Sequence, residues 1–600
     1  MRNPNVILSN LNELAKDKQY EFKRLYRNLY NPEFFLDAYD KIKSNKGSMT
    51  KGINDEGMDG FNIEVINNII SELKDESYKP KPVKRTYIPK ANGKTRPLGI
   101  PAFRDRLVQE VARRILETVY EPIFHKESHG FRPAKSCHTA LKQITETMTG
   151  INWYIEGDIK DFFDNIDHHV LIEILRKRIK DEKFIRLIYK MLRAGFIDDW
   201  KYNMTHSGTP QGGIISPLLA NIYLNELDNK MAKIKSDFDK SLPLHKMISR
   251  EYRRVIEQKG YWKKRVEKFK GVDEDKYIKA LEEYNKRGKL LLKTQHYKSN
   301  REDKKIFYTR YADDFLIGIL GSKEDANNIK EEITNFLRDE LKLELSQEKT
   351  LITHSEKRVH FLGYDIVTYK TNDIIKGKDG RKKRYLKGKV GLMIPKNFNK
   401  DFLNKEKMIK DINSINWRVN HIGKLLNLDD LEILEYYNSK LRGIANYYHL
   451  ATNVSTLSTI KSYARWSFLK TLAAKHKSKV FKISKKYTNN GILGVGYSKK
   501  GEPAFRPFFK ESLNRKSLIN SIGVDLLPQT AHLWIRTSLM DRMDRTNCEL
   551  CGKEEDNLVV HHVRKVKDLK GKNSWERIMI EKRRKTLVVC KECHYKIHNP

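Results

Sequence analysis

Residues 307–320 read FYTRYADDFLIGIL, two apolar runs that meet at a pair of adjacent acids, Asp313 and Asp314. The pattern predicts two β-strands joined by a tight turn, with both carboxylates at its tip. Two such charges beside a packed sheet repel unless a divalent cation neutralises them, so a third acid is to be sought at the end of another strand. The stretch 153–167, WYIEGDIKDFFDNID, supplies it: Asp158 closes an apolar strand, and Asp161, Asp164 and Asp167 sit in the turn and helix beyond. Acids so placed suit a pair of Mg²⁺ ions that activate a hydroxyl and stabilise a phosphate leaving group.

Outward from these strands the pattern is α+β. Residues 1–75 predict helices, with Phe22, Leu25, Tyr26 and Leu29 at helical spacing. KPVKRTYIPKANGKTRPLGIP (81–101) alternates around Asn92 and Gly93 as strands joined by a turn, and a long helix is expected over 105–120. Residues 230–300 carry 21 Lys and Arg against 10 Asp and Glu, and predict charged helices inserted between two parts of one core. Beyond 395 the helical period returns: Leu431, Leu434, Tyr437, Leu441, Ile444 and Tyr448 mark one buried face. Across 461–516 basic residues interleave with Tyr463, Trp466, Phe468, Phe481, Tyr487, Tyr497 and Phe505, a mixture suited to phosphate contact and base packing.

Six hundred residues exceed one hydrophobic core, so several domains are expected. The balance of 117 basic against 77 acidic residues, a net charge of +40, points to a polyanionic partner, by default nucleic acid. No stretch approaches the roughly 18 apolar residues of a membrane span, and MRNPNVILSN lacks a signal peptide's apolar run. A cytoplasmic protein is expected.

Cysteines are uneven: Cys137 stands alone, while Cys548-x2-Cys551 and Cys590-x2-Cys593 form two pairs with the spacing of a four-thiolate structural Zn²⁺ site. His561 and His562 follow the apolar Leu558–Val560, and His594 and His598 fall four apart, on one face of a helix. A purely structural zinc knuckle has no need of these histidines.

Seven blocks in order resemble the reverse transcriptases, in particular those encoded by bacterial group II introns: RPLGIPAFRDRLVQE (96–110), HGFRPAKSCHTAL (129–141), EGDIKDFFDNID (156–167), SGTPQGGIISPLLANIYLNELD (207–228), RYADDF (310–315), LELSQEKT (343–350) and FLGY (361–364). The resemblance continues through SKLRGIANYYHLATN (439–453), and the C-terminal segment resembles the HNH nucleases. It implies an α+β multidomain protein. After an N-terminal extension (1–75) come right-hand polymerase fingers and palm (76–375), a helical thumb and maturase domain (390–475), a basic DNA-binding segment (476–545) and a small ββα-metal HNH domain (546–600).

By the same resemblance Asp158, Asp313 and Asp314, with the Ile159 carbonyl, hold Mg²⁺. Phe163 packs against the sugar and excludes ribonucleotides, with Phe162 competing for the role. Gln211, Lys84 and Lys90 contact the nucleotide, with Lys94 and Arg96 near enough to compete. In the C-terminal domain His561, His594 and His598 ligate a divalent ion, Mg²⁺ by preference, His562 is the general base, and the four cysteines hold Zn²⁺. One departure stands out: where HNH proteins have a middle Asn, this chain has Lys585-Thr586-Leu587. The implied partners are group II intron RNA, target DNA and dNTPs, with no membrane. The implied function joins RNA-directed DNA synthesis, maturase-assisted splicing and target nicking, as intron homing requires. A maturase-only splicing cofactor and a stand-alone bacterial reverse transcriptase are the alternatives.

Overall fold

The helix Phe103–Tyr120 is buried around nearly its whole circumference, although it carries many charges. Burial of a charge is costly unless it is paired, and here the pairs are made: Arg113 with Glu110 and Glu117, Arg114 with Asp37, and Asp105 accepting from the Tyr78 hydroxyl. Around it pack the N-terminal helices Pro4–Ala15, Pro32–Lys43 and Ile63–Lys74, so these three helices share one core with it rather than extending from it. The structure, a computed structural model, describes residues 3–43, 45, 47–54, 56–89, 93, 95–198, 201–203, 208, 212–239, 248–294, 296, 304–369, 374–376, 382–384, 388–413, 417–499, 502–516, 542, 546–555, 557–582 and 584–599. No described helix is long and apolar enough to cross a membrane.

A four-stranded fingers sheet runs in the order Thr95–Ile100, Val83–Pro89, Phe196–Asp198, Lys201–Asn203. The four-stranded palm sheet has the order Lys305–Tyr311, Asp314–Leu320, Trp153–Asp158, Ile352–His354, all antiparallel. Helix Ser216–Phe238 lies behind it and buries Met231 and Ile234, so the boundary expected at 230 falls inside a palm helix. The charged insertion is instead the hairpin Arg250–Phe269 and Glu274–Lys293, which buries only Val255 and Ala280 along its two helices.

A second core gathers the sheet Val390–Met393, Tyr364–Thr368, Val359–Phe361 with helices Asp430–Tyr447 and Leu457–Lys475. Leu493 and Val495 of strand Ile492–Lys499, with Phe508 and Phe509, belong to the same core. The boundary expected near 476 therefore does not divide two cores among the described residues. Most of 517–545 lies outside them.

Candidate active sites

The palm hairpin needs one residue of left-handed backbone, and Ala312 takes it at φ 56°. That strain is held by Arg310, which is fully buried and donates from Nη1 to the Ala312 carbonyl at 2.9 Å. Its Nε and Nη2 fork onto Asp228 at 2.8 and 2.6 Å, and Nη2 also reaches Ser128 Oγ at 2.8 Å. Gly130 completes the support by closeness: a Cβ there would lie 2.4 Å from Ala312 N, so no larger residue fits under the turn. None of these supports is signalled by local spacing, and sequence reading missed them.

The register sets Asp158 directly opposite Asp314, with Asp313 at the turn. Burial, then the neighbouring Asp313 and Asp158, push the Asp314 carboxyl up to about 7, and burial with the Asp158 charge raises Asp313. Carboxylates that oppose one another's ionisation this way form a donor set suited to hard cations. Lys349 supplies a cation here, with Nζ 2.7 Å from Asp158 Oδ2, and that ion pair raises its own pKa. Asp167, by contrast, caps helix His168–Arg176, accepting from the His169 and Val170 amides.

The acids line a cleft of about 980 Å³. Phe162 and Phe163 both border it, but Phe162 is 2% exposed in the core while Phe163 is half-buried. At Ile159 the bridge to Leu345 uses the Asp158 carbonyl and the Lys160 amide, not the Ile159 carbonyl. Among the basic candidates on the fingers Arg96 lines the cleft, whereas Lys84 is exposed on strand Val83–Pro89, away from the cleft's lining. Lys90, Lys94 and Gln211 lie outside the described residues.

At the C-terminus strands Val559–His562 and Thr586–Val589 pair antiparallel and helix Lys591–His598 follows, a ββα unit. The Sγ atoms of Cys548, Cys551, Cys590 and Cys593 lie within 4.8 Å of one another, close enough to share one ion. Burial would raise the Cys548 thiol, but the Cys551 and Leu550 amides directed at its sulfur outweigh that and bring it to about 7. Cys590 Sγ caps the last helix by accepting from the Cys593 amide at 3.4 Å.

His561, His594 and His598 converge, and a fourth group that sequence reading did not find joins them: the Asp59 carboxylate. These four donors also lie within 4.8 Å of one another. Burial would raise the Asp59 carboxyl, but His561, His594 and the His562 amide hold it far below the usual carboxylate range. His562 is 3% exposed with both ring nitrogens buried and without a hydrogen-bond partner among the described residues, and burial lowers its pKa to about 4, so its imidazole is neutral. Thr586, in the stretch that replaces the middle Asn, faces His562 across the hairpin, and its Oγ1 accepts from Arg542 Nη2 at 2.8 Å.

Residues 88–244 and 288–366 match the family "Reverse transcriptase (RNA-dependent DNA polymerase)", 392–546 match "Type II intron maturase", and 548–594 match "AI2M/AI1M-like, HNH endonuclease". The "Group II intron-encoded protein LtrA" of Lactococcus lactis subsp. cremoris is 44% identical over 97% of this chain and 98% of its own length. An "Uncharacterized 91 kDa protein in cob intron" of Schizosaccharomyces pombe is 34% identical over 99% of this chain and 72% of its own. A solved apo telomerase from Candida Tropicalis, truncated from its C-terminal domain, aligns with a TM-score of 0.29 at 15% identity, over 57% of this chain and 63% of its own.

Proposed function

The chain belongs to the group II intron-encoded proteins, multifunctional enzymes with reverse transcriptase, maturase and HNH endonuclease domains, and on that premise we propose how its residues divide the work. Asp158, Asp313 and Asp314, with the Ile159 carbonyl, hold Mg²⁺ for RNA-directed DNA synthesis. The observation that carries this reading is the cross-strand pair Asp158 and Asp314, whose mutual repulsion asks for a cation. When bound, such ions supply the charge that activates the primer 3′ hydroxyl and stabilises the departing pyrophosphate. Phe163, on the cleft wall, fills the space that a ribonucleotide 2′ hydroxyl would need. Arg96 and Lys349, both on the cleft, bring positive charge to the triphosphate, and Gln211 and Lys90 complete the nucleotide contacts, while Lys84, off the cleft's lining, is left out of them.

The C-terminal domain nicks target DNA. His561, His594 and His598 hold a divalent ion, Mg²⁺ by preference, which polarises the scissile phosphate when bound. His562 takes the proton from the attacking water. Four thiolates leave no open position, so Cys548, Cys551, Cys590 and Cys593 hold a structural Zn²⁺. The basic thumb side, where Trp466, Phe481 and Phe505 are exposed, grips intron RNA by phosphate contact and stacking, in the cytoplasm of the host cell. The nicked 3′ end then primes synthesis on that RNA.

The test is Asp313→Asn in the full chain. DNA synthesis on a primed RNA template is expected to disappear, while intron RNA stays bound with its steep salt dependence. Synthesis within a few fold of the wild type would overturn the assignment of the acids.

A further inference from the structure

Asp59 stands 503 positions before His562, outside any motif of the nuclease, yet its Oδ1 accepts from the His562 amide at 2.7 Å. The packing of its neighbours brings it there. Phe61 is 1% exposed and stacks on Tyr39 with centroids 4.0 Å apart. The adjoining backbone runs beside strand Val559–His562: Gly60 donates to the Val560 carbonyl at 3.1 Å, and Val560 donates to the Phe61 carbonyl at 2.8 Å. Gly60 has φ 83°, a left-handed conformation that side chains strain to adopt, so the turn that aims Asp59 at the histidines favours glycine. The N-terminal domain thus adds a third extended segment to the nuclease hairpin, tied further by Lys591 Nζ to Glu64 Oε2 at 3.0 Å.

The carboxylate sits where a ligand belongs. Asp59 Oδ1 is 3.1 Å from His561 Nδ1 and 3.2 Å from His594 Nε2, and Oδ2 is 2.6 Å from His598 Nε2. Donors each about 2.1 Å from one ion stand roughly 3.0–3.4 Å apart, so the first two spacings are those of a shared coordination shell. Both ring nitrogens of His561 are buried and make no hydrogen bond, so Nδ1 faces the carboxylate without the geometry of a donor. A cation between them satisfies both. Three imidazoles alone are neutral and favour softer metals, and a carboxylate adds the charge and oxygen character that Mg²⁺ or Mn²⁺ prefers.

We propose that Asp59 is a fourth ligand of the nuclease ion, contributed by the N-terminal domain, so that the DNA-cutting centre is complete only while residues 57–64 are docked on the C-terminal domain. This rests on the reading of His561, His594 and His598 as an ion site. His598 has its side chain 48% exposed, which leaves the cluster open on one side for water and phosphate.

The probe is Fe²⁺ with ascorbate and hydrogen peroxide, added to the zinc-loaded full chain: Fe²⁺ reduces peroxide to hydroxide and a hydroxyl radical that cuts the backbone beside the bound ion, and ascorbate returns Fe³⁺ to Fe²⁺. Wild type is expected to be cut both near residues 57–62 and near residues 559–562 and 594–598. Asp59→Ala is expected to need at least about tenfold more Fe²⁺ for half-maximal cutting at 559–562, as the loss of a metal-supporting group does elsewhere. Zinc content and circular dichroism report that the variant is folded. Unchanged Fe²⁺ dependence in Asp59→Ala, with cutting lost in His594→Ala, overturns the fourth ligand alone. Unchanged dependence in both overturns the ion site with it. Tighter Fe²⁺ binding in Asp59→Ala also overturns the proposal, because the carboxylate would then be a plug that the ion has to displace.

Discussion

Lys349 Nζ lies 2.7 Å from Asp158 Oδ2, so the acidic end of the palm sheet carries a cation of its own. The lysine competes with any divalent ion for that carboxylate. Lys349→Ala should lower the Mg²⁺ concentration needed for half-maximal primer extension, by about fivefold, since an ion pair whose lysine is largely exposed is worth ~1 kcal/mol. Maximal extension should fall as well, because positive charge beside the triphosphate is lost. A Mg²⁺ titration that superimposes on the wild type after normalisation would remove Lys349 from the site.

Phe162 and Phe163 are adjacent but make different walls, one in the core and one on the cleft. Phe163→Ala should reduce discrimination against ribonucleotides by about tenfold or more, as opening a pocket by several carbons does. Phe162→Ala should instead destabilise the fold by ~3–5 kcal/mol. The comparison is incorporation efficiency for a ribonucleotide against its deoxy counterpart. An unchanged ratio in Phe163→Ala moves the gate elsewhere.

Asp228→Asn leaves the Arg310 guanidinium, fully buried, facing a neutral amide. Breaking a buried pair from one side costs ~3–5 kcal/mol. DNA synthesis should be lost and the melting temperature lowered, although Asp228 borders no part of the cleft, because Arg310 holds the turn that presents Asp313. Wild-type melting and synthesis together would show that the turn stands without this fork.

Cys551 is the exposed member of its cluster, the others being buried. Cys551→Ser should lower zinc content and make residues 546–599 sensitive to protease, with nicking lost through the scaffold. Because Cys548, Cys590 and Val560 pack in the core shared with the N-terminal helices, the same variant should also loosen residues 57–61. Hydrogen exchange at the Gly60 amide checks this, and protection equal to the wild type would mean that the docking is independent of zinc.

Features written at short spacing were legible. The YADD turn between apolar runs, the strand ending at Asp158, and the two Cys-x2-Cys pairs fall where their patterns predict, because strand period and ligand spacing are local properties. The supports were not legible. Arg310 and Asp228 are 82 positions apart and look like two ordinary surface charges until the fold buries them. Asp59 lies in a loop whose sequence carries no metal spacing, and only the pairing of Phe61 with Val560 brings it to the histidines. Leu434, Tyr437 and Leu441 are buried at the helical spacing that their period predicts, but the basic stretch after them conceals apolar positions such as Leu493 and Val495 at a strand period, which bind it to the same core.

The pairing of Phe61 with Val560 also imposes an order on biosynthesis. A ribosome adds about 5–20 residues per second, so some 500 residues and roughly 25–100 s separate the emergence of the two partners. For that interval Phe61 and the edge beside it lack the surface that finally covers them, and the nascent chain has to be shielded from its neighbours on the polysome. A ribosome that stalls after the last palm strand, Ile352–His354, but before codon 560 leaves a polypeptide with its polymerase strands made and this seam still open, the state in which aggregation or proteolytic clearance competes with function.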